Sequence, residues 1–111
     1  MPSLKLETSA TLSQAQEQAL ALEIGTMAAE LLNKPLSVVQ VRIESRKTIA
    51  FGGEITENSA FLSIALIGEI APEVKQILPE KFTALLEKYE IEPKRVFLNY
   101  RETPASAWGW I

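Results

Sequence analysis

The chain contains no cysteine, no histidine and no aspartate, and all 14 of its acidic residues are glutamates. Without cysteine there is no disulfide, no thiol nucleophile and no redox Cys-x-x-Cys pair. Zinc sites built on cysteine or histidine are excluded as well. So are the Ser-His-Asp triad and the aspartate-rich calcium loop. Glycine is sparse, with 5 in 111 residues. The double glycine Gly52-Gly53 is followed by neither a Gly-Lys-Ser nor a Gly-x-x-Gly context, so no standard phosphate-cradling loop is present. An enzyme made from this sequence must find its base among Glu, Lys, Tyr and the N-terminal amine. It is expected to use no metal and no cofactor.

Positive charge is also in short supply. Lysine and arginine total 11 and the net charge is −3 at pH 7, which is not the footprint of a nucleic-acid binder. No apolar run reaches the length of a membrane span. The opening residues lack the hydrophobic region of a signal peptide. These features predict a soluble, cytoplasmic protein with neither nucleic acid nor membrane as a partner. A hydrophobic content of 47% over this length suits a single domain, residues 1–111, with a modest core.

The residues that are present are patterned. Leu4-Lys5-Leu6-Glu7 alternates with period two and predicts a half-buried strand. Ser13 with Gln16 has the spacing of a capping box, and Leu20, Ile24, Met27 and Leu31 then fall on one helical face. That helix should stop near Asn33-Lys34-Pro35, because the residue before a proline avoids helical angles. VVQVRI, from Val38 to Ile43, predicts a second strand, and Ile49-Ala50-Phe51 a short extended piece ended by the glycines. FLSIALI, from Phe61 to Ile67, is almost continuously apolar and predicts a central strand covered on both faces. Leu78, Phe82, Leu85 and Tyr89 mark the face of a second helix. Pro72 suits its first turn, and Pro79 predicts a kink or a helix start close by. VFLNY, from Val96 to Tyr100, is a further strand, and the apolar tail from Ala107 to Ile111 predicts a short edge strand.

The order strand, helix, strand therefore occurs twice, and the halves echo each other: Pro35 precedes VVQV as Pro93 precedes VFLN. Two such units predict an α+β fold, a four-stranded mixed sheet with both helices on one face. The other face is expected to be apolar and has no cover within the chain, so an oligomer that buries it is expected.

MP at the start, NKP after the first helix, AFGG at the midpoint, IG after the central strand, RVFLNY and the GW of the tail occur in that order. In this joint order and spacing the chain resembles the macrophage migration inhibitory factor family of the tautomerase superfamily. The resemblance implies a homotrimer with active sites at subunit interfaces. It also implies a keto–enol tautomerase acting on α-keto acids such as phenylpyruvate. Pro2 would be the catalytic base once Met1 is removed. Lys34 matches the family's lysine, which would bind the substrate's carboxylate or keto oxygen and hold down the pKa of the proline. The backbone amide of Ile67 matches a second polar contact. Asn99 matches an asparagine reaching in from a neighbouring subunit, and Phe97 and Trp108 would form apolar walls.

Several positions depart from the best-known members. Phe97 stands in place of a tyrosine, Trp108 in place of a smaller residue, Val38 in place of another tyrosine, and Ser3 in place of a larger apolar residue. The family's Cys-x-x-Cys segment is replaced by Ser59-Ala60-Phe61-Leu62, which removes thiol oxidoreductase activity. Taken singly, Lys34 is an ordinary residue for a helix end, and Asn99 an ordinary sheet-edge group. The alternative to an enzyme is a cytokine-like signalling or interaction module that keeps the scaffold and uses its surface.

Overall fold

A computed structural model describes all residues, 1–111. Six strands and two helices follow in the order β1 (Ser3–Thr8), α1 (Gln14–Leu31), β2 (Gln40–Glu44), β3 (Ile49–Phe51), β4 (Glu54–Thr56), β5 (Ala60–Ile67), α2 (Pro72–Glu87) and β6 (Val96–Thr103). The main sheet has the order β2-β1-β5-β6. Its outer pairs, β1 with β2 and β5 with β6, are parallel, and the central pair β1 with β5 is antiparallel. This is the topology of two β-α-β units joined side by side, the α+β architecture expected from the repeated pattern.

One face of the sheet packs on both helices. Leu4 and Leu6 of β1, Leu62, Ile64 and Leu66 of β5, Leu20, Ile24 and Ala28 of α1, and Leu78, Phe82 and Leu86 of α2 form the buried cluster. Met27 and Leu31 flank this stripe rather than leading it. Gly25 takes their place at its centre, with β2 so near that an added Cβ would stand 3.5 Å from Val41. The helices are also tied to each other at the surface. Glu23 of α1 accepts from Lys88 at 2.8 Å and from the Tyr89 hydroxyl. Burial, and then the bond to Glu23, pushes the Tyr89 hydroxyl up to about 12.

Both helices begin and end for local reasons. Ser13 accepts from the Gln16 N–H while the Gln16 side chain accepts from the Ser13 N–H, a complete capping box. At the other end of α1, Asn33 is left-handed with φ 54°. Lys34 N–H reaches back to Ala29 O at 2.9 Å and Asn33 N–H to Glu30 O at 3.3 Å. This is a Schellman ending. The end of α2 repeats it: Glu90 has φ 64°, and Ile91 N–H bonds Leu86 O.

Five expectations need correction. First, β2 starts at Gln40, because Leu36–Val38 closes into a 3-10 turn behind Pro35. Second, Pro79 does not start α2. The helix opens with Pro72 in its first turn and continues through Pro79 to Glu87, with Thr83 donating to Pro79 O at 2.7 Å. Third, the tail adds no strand; after the 3-10 turn Ala105–Ala107 it is irregular.

Fourth, β5 is central but is covered on one face only. Leu62, Ile64 and Leu66 are buried, whereas Phe61, Ser63, Ala65 and Ile67 line the open face. Fifth, that open face is not simply apolar. It also carries Lys5 and Glu7 of β1, Arg42 and Glu44 of β2 and Asn99 and Arg101 of β6, with a salt bridge from Lys5 to Glu44 at 3.8 Å. Its apolar portion is concentrated at one end, around Phe61 and Phe97.

One element was not foreseen. Residues Ile49–Phe51 pair with Glu54–Thr56 as a hairpin, turned by Gly52 and Gly53 at φ 62° and 83°. Two successive positive φ values call for glycine, and this pair supplies it. The hairpin is pinned to the main sheet by buried hydroxyls: Thr56 bonds Ser59 and Ser9, and Thr8 donates to Ser59 O at 2.7 Å.

Candidate active site

The chain begins at the head of β1, in the interior of the sheet. Continuing the antiparallel register from Ser3 opposite Ala65 sets Pro2 level with Leu66. The Pro2 side chain is fully buried, and its carbonyl accepts from Gln40 N–H at 3.0 Å. The first residue is anchored too: the Met1 ammonium donates to Val38 O at 2.7 Å. In this chain the free amine belongs to Met1, and it stands in for the amine that Pro2 would present without it. Burial, and then the charge of Lys34, lowers its pKa from the ordinary value of 8.0.

A cleft of about 320 Å³ opens at this terminus. Met1, Pro2 and Ser3 line it together with Ser37, Val38, Val39 and Gln40 of the turn into β2, and Trp108 and Trp110 of the tail. Trp108 is locked in place: its indole N–H donates to Thr103 Oγ1 at 2.7 Å, and Thr103 donates in turn to Leu66 O at 2.9 Å.

The residues singled out from sequence divide into two groups. Pro2 and Trp108 share the cleft. Lys34 stands just outside it, on a neighbouring apolar cleft between the end of α1 and the start of α2, close enough for its charge to act on the terminal amine. It takes part in none of the four salt bridges. The Gly68 N–H points at Thr103 O on β6, at 2.9 Å. By the alternation of a strand, the Ile67 N–H therefore points the other way, toward the side of β1 and the chain terminus. The Schellman ending of α1 fixes where Lys34 leaves the helix. Gly68, at φ 90°, fixes where β5 turns away.

Phe97 and Asn99 are not brought to Pro2 within one chain. Both lie on the open face of β6, and Phe97 is 59% exposed. Phe97 pairs in register with Phe61 and packs at a tilt against Phe51, with ring centroids 5.3 Å apart. From Leu66 to Phe61 is five residues of β5, roughly 17 Å at about 3.3 Å per residue, so Phe97 sits at the far end of the sheet from Pro2. Only another copy of the chain can carry it to a Pro2 cleft. Sequence reasoning missed Gln40, Ser37 and Thr103. Period-two patterning gives the face of a strand residue, but not which residue of a distant parallel strand lies beside it.

The comparisons with known proteins agree with this geometry. The family model for macrophage migration inhibitory factor matches residues 1–111. The fold is similar to that of the macrophage migration inhibitory factor homologue from Prochlorococcus marinus, at 24% identity and a TM-score of 0.90 over 98% of this chain and 95% of that one. It is similar to the macrophage migration inhibitory factor-like protein from Entamoeba histolytica, at 25% identity and a TM-score of 0.90 over 99% and 95%. It also resembles N1, a member of the cis-3-chloroacrylic acid dehalogenase family, at 20% identity and a TM-score of 0.81 over 97% and 79%. No helix is long and apolar enough to cross a membrane. By the full-length family match, the chain belongs to the macrophage migration inhibitory factor family, within the tautomerase superfamily.

Proposed function

We propose that this protein is a cofactor-independent keto–enol tautomerase of α-keto acids such as phenylpyruvate, with Pro2 as its base after removal of Met1. The observation that carries the reading is the placement of the chain start. Pro2 is buried at the head of a sheet strand, and the Met1 amine next to it has its pKa lowered by burial and then by the charge of Lys34. Family membership and the superfamily fold support the same class of activity.

A proline at a chain terminus is a secondary amine whose lone pair is not delocalised into a carbonyl. Burial and a neighbouring cation bring such an amine toward neutrality at working pH, where a general base is most effective. The neutral nitrogen takes the enol O–H proton as that bond's electrons form the carbonyl. The electron pair of the carbon–carbon double bond then takes a proton from the prolinium, and Pro2 is neutral again. Lys34 and the Ile67 N–H bind the carboxylate end, and Trp108 offers its face to the substrate body. The site is completed in a homotrimer, where a neighbouring subunit delivers Asn99 and Phe97 from its open sheet face.

Intact mass decides the first step, because a retained Met1 makes the Pro2 nitrogen a non-basic amide. The mass is expected to lack Met1. Phenylpyruvate turnover is expected to fall on the order of a hundredfold in Pro2→Gly, in line with the loss of a positioned general base. Equal rates in the two proteins would remove Pro2 from the mechanism.

A further inference from the structure

Two walls of opposite character meet in the Pro2 cleft. One is aromatic: Trp108, whose indole N–H is already committed to Thr103, together with Trp110. The other is polar and neutral. Ser3 and Gln40 lie side by side in the parallel register of β1 and β2, and the Ser3 hydroxyl donates to Gln40 Oε1 at 2.8 Å. Ser37 extends that wall. The bond from Ser3 uses one lone pair of the amide oxygen and holds the carboxamide in place. Both Nε2 donors and the second lone pair of Oε1 remain without a partner in the chain. Gln40 lies on an edge strand and is exposed within the single chain. No lysine or arginine lines the cleft, and its one cation, the Met1 ammonium, is bonded to Val38 O rather than to the Gln40 wall. A carboxylate pressed against this wall would lose water without gaining a counter-charge, whereas a neutral amide would exchange its water bonds for bonds to Gln40.

We infer that Gln40, positioned by Ser3, is a specificity-determining residue of the cleft. It selects ligands with a planar body for Trp108 and, at the end away from the reacting carbon, a neutral carboxamide-like donor–acceptor pair. The inference rests on the tautomerase reading for the identity of the reacting end, but not for the contact with Gln40.

Calorimetric binding of two unreactive analogues, phenylacetate and 4-carbamoylphenylacetate, tests the contact directly. The wild type is expected to bind the carbamoyl compound about three- to tenfold more tightly, the worth of one or two hydrogen bonds exchanged with water. Gln40→Leu and Gln40→Ala, both at an exposed edge position, are expected to remove that ratio. A merely structural role would weaken both ligands equally and leave the ratio intact. Equal binding by the wild type, binding of neither ligand, or a ratio that survives in both variants would overturn the inference. Phenylpyruvate turnover measured on the same wild-type preparation separates the two ideas. Turnover without a binding preference sinks the role of Gln40 alone. A Gln40-dependent preference without turnover upholds the contact and sinks the tautomerase reading.

Discussion

At the scale of single residues, charge placement governs both the terminal amine and the end of β6. Lys34 lowers the pKa of the Met1 amine, second only to burial, and on the proposed reading it acts in the same direction on the Pro2 amine once Met1 is removed. Removing its charge must let that pKa rise. Lys34→Ala is therefore expected to shift the basic-group limb of the pH–rate profile for phenylpyruvate to higher pH and to raise KM, with a smaller loss of rate than Pro2→Gly. An unmoved limb would separate Lys34 from the base. Glu102 is the carboxylate counterpart. It accepts from Lys75 at 2.8 Å and from the Ile70 N–H at 2.7 Å, tying the end of β6 to the start of α2. Those bonds, that of Lys75 first, hold its carboxyl below the ordinary 4.5. A depressed folded-state pKa means stabilisation that is full above about 4.5 and is lost as pH falls through the lowered value. Glu102→Gln should melt earlier than wild type at pH 7, and the gap should narrow in acid. A gap that is constant from pH 7 to pH 3 would contradict the linkage.

Among the elements, the two helix endings offer the sharpest contrast. Both use a left-handed residue, but one is Asn33 and the other Glu90. Asparagine tolerates that region through its short polar side chain, whereas glutamate pays the steric cost of its Cβ. Glu90→Gly is expected to stabilise the fold by about 0.5–1 kcal/mol, after allowing for the extra freedom glycine gives the unfolded chain. A small rise in the thermal midpoint would show it, and a fall would argue against strain at this turn. These endings also indicate what sequence can reveal. The capping box at Ser13 and the stop before Pro35 were legible because they are set by residues within one turn of each other. Pro79 misled because the packing of Leu78 and Phe82 onto the core holds the helix together across the lost hydrogen bond. The β3–β4 hairpin was missed because Glu54-Ile55-Thr56 is too short to carry a period, and its support comes from the buried hydroxyls of Thr8 at the end of β1, Ser9 just after it and Ser59 just before β5. Of the site residues read from sequence, Pro2 and Trp108 share one cleft and Lys34 stands just outside it, whereas Phe97 and Asn99 lie apart from it within one chain. Its polar wall, Ser3 with Gln40, depends on a strand pairing that joins residues 37 positions apart.

For the whole molecule, the open sheet face sets the requirement. Phe61, Phe97 and Phe51 gather at one end of it, charged, polar and small apolar residues share the rest, and no further layer of the chain covers it. Assembly as a trimer is expected to appear as a sedimentation mass of three chains at micromolar concentration. The mass of one chain would remove any site shared between subunits. Within each subunit, α1 spans from its cap at Ser13 to the turn that releases Lys34. Adding or deleting a single residue inside that helix would swing everything beyond it by about 100° and move it by about 1.5 Å. Many side chains on the outer surface of α1 can change without reaching the terminal amine, but its residue count cannot. The helix acts as a ruler between the two ends of the subunit, measuring out where a positive charge arrives beside the first residues of the chain.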